Sequence, residues 1–302
     1  MAISRSQLVK ELEPGLNALF GLEYKRYENQ HAEIYTSENS DRAFEEEVML
    51  SGFGNAQVKG EGAGVAFDDA QETFTARYSH ETIALAFAIT EEAIEDNLYD
   101  RLAARYTKAL ARSMSNAKQV KAVDLLINGL PGGTFKSGDG VTLFNTAHPT
   151  LNGSFKNTLS TAADLNETSL EQSLIDINAF TDERGLRVAA RGVKMIVPSE
   201  LQFTAERLMK TQGRTGTADN DINAIASMGM IPQGYRVNNY LTDTDSFYII
   251  TDVPNGMKMF NRAPLTTAME GDFDTGNVRY KARERYSFGV SDPRGIFGVE
   301  GA

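Results

Sequence analysis

TEEAIEDNLYDRLAARYTKALARSMSNAKQVKAVDLLIN, from Thr90 to Asn128, reads as one helix with both ends marked. Thr90 suits an N-cap, and Glu91, Glu92, Glu95 and Asp96 place negative charge where the helix dipole is positive. Arg105, Lys108, Arg112, Lys118 and Lys121 follow toward the negative end, and Gly129 with Pro131 stops the helix. Ile94, Leu98, Leu102, Tyr106, Leu110 and Met114 recur every fourth residue. Each such step overshoots a full turn by roughly 40°, so the apolar stripe winds around the cylinder and needs different neighbours along its length. At about 1.5 Å per residue the segment extends on the order of 55 Å, whereas ordinary helices have about 11 or 12 residues. A plate with a spine fits these residues better than a ball does. Ser113, Ser115 and Asn116 mark the expected place for a kink.

A chain of 302 residues can bury a large core, as one elaborate domain or as two. Its net charge of −11 argues against a general nucleic-acid binder, since phosphate contacts rely on clustered Lys and Arg. It leaves room for a protein that encloses DNA without gripping it. The absence of cysteine excludes disulfides, thiol nucleophiles and thiolate metal sites. The first twenty residues carry charges throughout rather than a signal peptide's apolar run, and no window reaches the roughly 18 apolar residues of a membrane span. A soluble chain made and used in the cytosol is expected, with no membrane partner. Two matches to the glycosylation pattern, at Asn152 and Asn166, are then chance.

Residues 1–42 carry one amphipathic piece, with Leu8, Leu12, Leu16, Leu19 and Phe20 interrupted by Pro14-Gly15. Two readings stand: a short helix docked on its own domain, or an arm lying on a neighbouring subunit. Residues 43–89 read as a very long β-hairpin, with glycines 52, 54, 60, 62 and 64 around its tip. In the second limb Phe74, Ala76 and Tyr78 share one face, and Ile83, Leu85, Phe87 and Ile89 continue in the opposite phase, which suggests a bulge or bend near residues 79–81. Such a ribbon is marginal alone in water and must lean on something, most simply another copy of the chain. GEGAG, residues 60–64, lacks phosphate-loop spacing and reads as a mobile tip.

From 129 to 166 the chain is rich in Gly, Asn, Thr and Ser, with one short predicted strand at 141–144. So long a stretch without periodicity points to a functional or interfacial segment. Thr168-x-x-Glu171 predicts a capping box opening a helix on Leu170, Leu174 and Ile177. A buried strand at 193–197 ends at Pro198, and Ser199-x-x-Gln202 opens the next helix. The loop at 212–221 is polar, and strands follow at 235–241 and 247–251, so 168–262 reads as an α/β unit inserted into the domain that holds the long helix. VRYKARERYSFGV, residues 278–290, puts Val278, Tyr280, Ala282, Tyr286, Phe288 and Val290 on one face, interrupted by Glu284. Arg279, Lys281, Arg283 and Arg285 fall on the other. Four cations on one face repel unless paired, and Glu45-Glu46-Glu47 and the acidic start of the long helix are the expected partners, within or between subunits.

Little in the sequence points to chemistry. His31, His80 and His148 show no metal-ligand spacing, no G-x-S-x-G elbow occurs, and Asp243-Thr-Asp245 lacks the rest of an EF-hand loop. No catalytic, cofactor or metal residue is assigned, and a cytosolic α/β enzyme is the least supported reading.

The order of elements, from terminal segment through long hairpin, spine helix and inserted α/β unit to closing charged strand, resembles the major capsid proteins of tailed double-stranded DNA bacteriophages. Asp139-Gly-Val-Thr-Leu-Phe-Asn-Thr-Ala-His-Pro149 looks like the "DG…LF…HP" stretch of Mu-like head subunits, and Tyr286-Ser-Phe-Gly-Val-Ser-Asp-Pro-Arg294 looks like their C-terminal strand. The resemblance implies the α+β capsid fold. It implies an N-terminal arm at 1–42, an extended loop at 43–85, and a peripheral domain at 86–167 and 263–290 with the spine at 90–128. An axial domain would occupy 168–262, with 291–302 returning to it. It further implies a subunit that assembles with itself into pentamers and hexamers of an icosahedral head around double-stranded DNA, in the host cytoplasm during assembly and in the virion afterwards. A portal, a decoration protein and a separate scaffolding protein are implied partners, because the spine begins too early for a built-in scaffold segment. Lysine-to-asparagine crosslinking, known in some members, is not carried over, although Lys59 sits near the hairpin tip. The expected intersubunit contacts are Phe53, Lys59, Val65, Phe67, Phe74 and Tyr78 of the loop with Arg279, Lys281, Arg283 and Arg285 of the closing strand. An encapsulin-like compartment, which shares the fold, is the alternative.

Overall fold

Alternation decides where the chain is buried, and the strand at Val278–Val290 shows it most plainly. Tyr280, Ala282, Glu284 and Tyr286 point inward while Arg279, Lys281 and Arg283 remain exposed. In the computed structural model, which describes residues 5–90, 92, 99–213, 221–272 and 276–302, this strand lies inside a four-stranded sheet. Numbered in chain order, the sheet comprises β1 (Thr36–Asn39), β4 (Glu81–Ile89), β10 (Met257–Gly271) and β11 (Val278–Val290), in the order β1-β10-β11-β4. β10, β11 and β4 are antiparallel, and β1 joins β10 in parallel. A second sheet has the order β12-β9-β7-β8, from β7 (Gly192–Val197), β8 (Tyr235–Val237), β9 (Phe247–Thr251) and β12 (Ile296–Val299). Helices α3 (Glu167–Asn178), α4 (Gln202–Lys210) and α5 (Ala224–Met228) accompany it.

The spine, α2 (Tyr99–Ile127), continues as one helix through Ser113, Ser115 and Asn116. The acidic first turn and the start of the apolar stripe lie outside the described residues. Leu110, Ala111 and Met114 enter one core with Tyr280 and Ala282 of β11. A few turns later Ala122, Val123 and Leu126 enter another, with Met257, Tyr286 and Ile296. The winding stripe therefore meets different partners along the helix. Gly129 closes the helix where a Cβ would sit 2.8 Å from both the Leu125 carbonyl oxygen and Leu143 Cβ.

The chain's first helix, α1 (Arg5–Arg26), resolves the two readings of the N-terminal piece. Leu16 and Phe20 are buried against Leu110, Met114 and Tyr280, so this part docks on its own spine. Ile34 and Tyr35 lie in the core and β1 belongs to the first sheet, so the stretch from Leu16 to Asn39 packs on its own subunit. The long hairpin is also shorter than its sequence suggests. β2 (Phe44–Leu50) pairs with β3 (Glu72–Ser79), and the chain then leaves the ribbon at His80 for β4, which pairs with β11 instead. The phase change near 79–81 is the passage from one sheet to the other.

Three smaller expectations shift. Residues 141–144 form no strand; Leu143 and Phe144 are buried from a loop in which Phe144 N–H donates to the Gly129 carbonyl. The capping box of α3 is Asn166 with Ser169, two residues before the expected pair, because Asn166 accepts from the Ser169 N–H and Ser169 Oγ accepts from the Asn166 N–H. The predicted strand at 235–241 ends at Val237. The remaining hairpin, β5 (His148–Thr150) with β6 (Gly153–Phe155), lies within the Gly- and Asn-rich stretch.

Candidate assembly surfaces

Each surface is built on a fixed base. At the root of the ribbon Tyr78 is fully buried; its ring lies over Gly289, where a Cβ would fall 2.4 Å from the ring, and against Phe260. Its hydroxyl meets Ser291, which donates to Glu47. Lys258 Nζ lies 2.5 Å from Glu47 and 3.1 Å from Glu38. Burial disfavours the Lys258 charge, but these two carboxylates outweigh it and raise the lysine's pKa. Tyr78 thus serves its own chain, and its expected role between subunits is corrected. Phe74 is half-buried, close enough to Gly138 that a Cβ there would meet its ring at 2.7 Å.

Past Ser51 and Gln71, whose backbones still pair, the loop forms no strand. Phe53 is 62% exposed, Val58 101%, Val65 67% and Phe67 97%, and Lys59 is exposed among them. Gly54 N–H donates to Asp68 at 2.6 Å, and Arg184 holds the Asp69 carbonyl. Covering one such aromatic or aliphatic side chain is worth roughly 1.5–3 kcal/mol, and this loop covers almost none of them.

The second surface is the outer face of β11. Arg279, Lys281 and Arg283 stand opposite Ala88, Ala86 and Ala84 of β4, and opposite Glu270, Ala268 and Thr266 of β10. Arg279 reaches Asp272 at 2.5 Å, whereas Lys281 and Arg283 have no ion pair among the described residues. Of the expected partners within the chain, the Glu45-Glu46-Glu47 run is engaged elsewhere, Glu45 with Arg42, Glu46 with Arg77 and Glu47 with Lys258, and Glu91, Glu95 and Asp96 of the long helix lie outside the described residues. Arg285 is half-buried, and its Nε has no acceptor. Burial, and then the charge of Arg285, lowers the pKa of His80.

The third feature centres on His148, to which the sequence assigns no metal-ligand spacing. His148 is fully buried, its Nδ1 lies 2.5 Å from Asp139, and its Nε2 lies 2.9 Å from Asn157 Oδ1. Asn157 is oriented by its amide donors, which reach the carbonyls of Leu143 and Pro293 at 2.7 and 3.0 Å. Both ring nitrogens therefore have a polar partner, and the ring is fixed in position from both sides. Burial opposes the Asp139 carboxylate, but hydrogen bonds from His148 and Ser137 overcome that and hold its pKa below the usual range. The His148 ring stacks on Phe155 at 4.8 Å, and the Arg294 guanidinium lies 4.2 Å from the same ring's centre. Arg294 also binds Glu183 at 2.7 Å and Asp292 at 3.2 Å. Leu143 and Phe144 on one side and Phe155 and Phe297 on the other belong to different cores, so this polar node ties the core under the spine to the core of the second sheet. The two stretches that carried the resemblance, 139–149 and 286–294, meet here.

Among the described residues no group of three or more His, Asp or Glu is arranged to hold a metal, and no helix is long and apolar enough to cross a membrane. The two buried carboxylates with raised pKa values are occupied: Glu284, pushed up by burial, binds Lys118 at 3.1 Å, and Asp292, also raised by burial, binds Arg294.

Comparison with known proteins agrees with this geometry. Residues 71–299 match the family model described as phage capsid protein. The capsid of Myoviridae phage XM1 superposes with a TM-score of 0.55 at 11% identity, over 89% of each chain. The capsid of an empty GTA particle gives 0.54 at 16% identity, over 90% of this chain and 89% of that one. A virus-like particle from Pyrococcus furiosus gives 0.53 at 9% identity, over 94% and 98%. At these identities the likeness is one of fold. No curated protein matches the chain.

Proposed function

Because this chain belongs to the phage capsid protein family, its role is that of a structural shell subunit, and we propose that its copies close into the pentamers and hexamers of an icosahedral head around double-stranded DNA. The single observation that carries the reading further is the loop at 52–70, whose large apolar side chains are covered by nothing in their own subunit. A loop from one copy lying on the next makes a heterologous contact, and such contacts generate rings when the rotation closes. In this reading 43–85 is the extended loop, 86–167 and 263–290 the peripheral domain, and 168–262 with 291–302 the axial domain near the capsomer centre. Phe53, Lys59, Val65 and Phe67 would touch a neighbour, and so would Arg279, Lys281 and Arg283. Net charge of −11 suits a wall that does not retain packaged DNA. Assembly in the host cytoplasm with a separate scaffold, a portal and a decoration protein completes the proposal.

A second reading, a compartment around protein cargo, draws on the likeness to the Pyrococcus furiosus particle. Electron microscopy of the purified chain, alone and with a co-expressed scaffold, tests the proposal. Closed shells able to hold DNA are expected; a monomer under every condition contradicts it, and shells that take up only protein favour the second reading.

A further inference from the structure

Sheet edges are where a fold admits another chain, and proteins guard them with short strands, charges or cover. Among the described residues the guards can be read strand by strand. β1 is four residues long and carries Glu38. β8 is three residues long and carries Arg236. β12 is covered, since Gly298 N–H donates to the Asn157 carbonyl. β2 carries Glu45, Glu46 and Glu47. β4 has one charge, Glu81 at its first position, and none of these protections beyond it. It is nine residues long, is paired along its whole length to β11 on one side, and ends the sheet on the other. From Thr82 to Ile89 it holds no charge and no proline.

The two faces beside this edge differ. Toward the spine, Leu85 is 46% exposed, and Tyr106 is 48% exposed beside Phe87. Toward the other face, Ala84, Ala86 and Ala88 are too small to shield Lys281 and Arg283 on the next strand. A strand added to β4 would lie about 10 Å from β11, within reach of lysine and arginine side chains leaning over the alanines. Its side chains should alternate, apolar toward Leu85 and Tyr106, and small or acidic toward the cations.

Residues 63–68 have that pattern. Ala63, Val65 and Phe67 fall on one face of an extended chain, and Gly64, Ala66 and Asp68 fall on the other; Asp69 ends the apolar face. The segment contains no cation and no proline, is exposed throughout, and forms no strand in its own subunit. We propose that residues 63–68 of a second copy add as a strand to the open edge of β4, with Asp68 exchanging its contacts to the Gly54 N–H and Arg184 for Lys281 and Arg283. This rests on the shell reading above and specifies how one subunit grips the next.

Hydrogen–deuterium exchange on assembled shells and on free subunits tests the inference. The expected result is that amides of 82–88 and of 64–68 slow together by about tenfold or more on assembly. Asp68→Lys should return the exchange of 82–88 at least halfway to its free-subunit rate in any shells that form. Shells whose 82–88 amides exchange as fast as in free subunits overturn the strand addition while leaving the shell reading in place. Protection of 82–88 without 64–68, or protection unchanged in the Asp68→Lys shells, overturns the choice of segment. Absence of shells from the unmodified chain removes the reading and the inference together.

Discussion

His148 illustrates how one side chain can hold two cores in register. Its two ring nitrogens bond Asp139 and Asn157, so an apolar replacement leaves both of these groups short of a buried partner. His148→Ala should therefore destabilise the subunit by roughly 3 kcal/mol, through the lost bonds and the cavity, whereas Asp139→Asn keeps the shape of the side chain and should cost less; denaturant unfolding measures both. His31 makes a different prediction. Burial, reinforced by the charge of Lys118, lowers its pKa to about 4. The unfolded chain takes up that proton near pH 6.5 and the folded chain only near 4, so the unfolded state binds more protons between them. This stability is present above pH 6.5 and is lost as pH falls through the window, by roughly 2 kcal/mol between pH 7 and pH 5. Unfolding curves across that range should show the slope in the parent and a weaker slope in His31→Leu.

At the scale of elements, what was legible in the sequence follows from what periodicity can report. β11 was plain because burial on one face imposes a period of two over thirteen residues. The break between β3 and β4 was visible as a change of phase, yet a phase change alone does not say that the second half joins another sheet. Leu143 and Phe144 looked like a strand because they are apolar neighbours; they are core side chains delivered by a loop, and no local pattern encodes that. The docking of α1 stayed open for the same reason, since Leu16 and Phe20 would be apolar on an arm or on the spine. The cationic stripe was legible, but its partners were not, because the Glu45-Glu46-Glu47 run is bound by Arg42, Arg77 and Lys258 from places distant in sequence or hidden by the turn. Exposure of Arg279, Lys281 and Arg283 yields a prediction at this scale. Changing all three to glutamate should leave the subunit folded, with unfolding free energy altered by about 1 kcal/mol or less, and should abolish shells in electron micrographs. Normal shells from that variant would make the stripe ordinary solvated surface.

At the scale of the whole molecule the subunit divides its burial unevenly. The spine, both sheets and the polar node around His148 form a body that satisfies itself, while the ribbon root is locked by Tyr78, Ser291, Glu47 and Lys258 and the loop beyond is left uncovered. This division is what the proposed shell subunit requires: a folded body that covers its own core and a projection that another copy would cover. The most direct test removes residues 53–65 and measures thermal unfolding of the free subunit together with particle formation. An unchanged unfolding midpoint with loss of closed shells is the predicted result; a lowered midpoint, or shells that form as before, would contradict it.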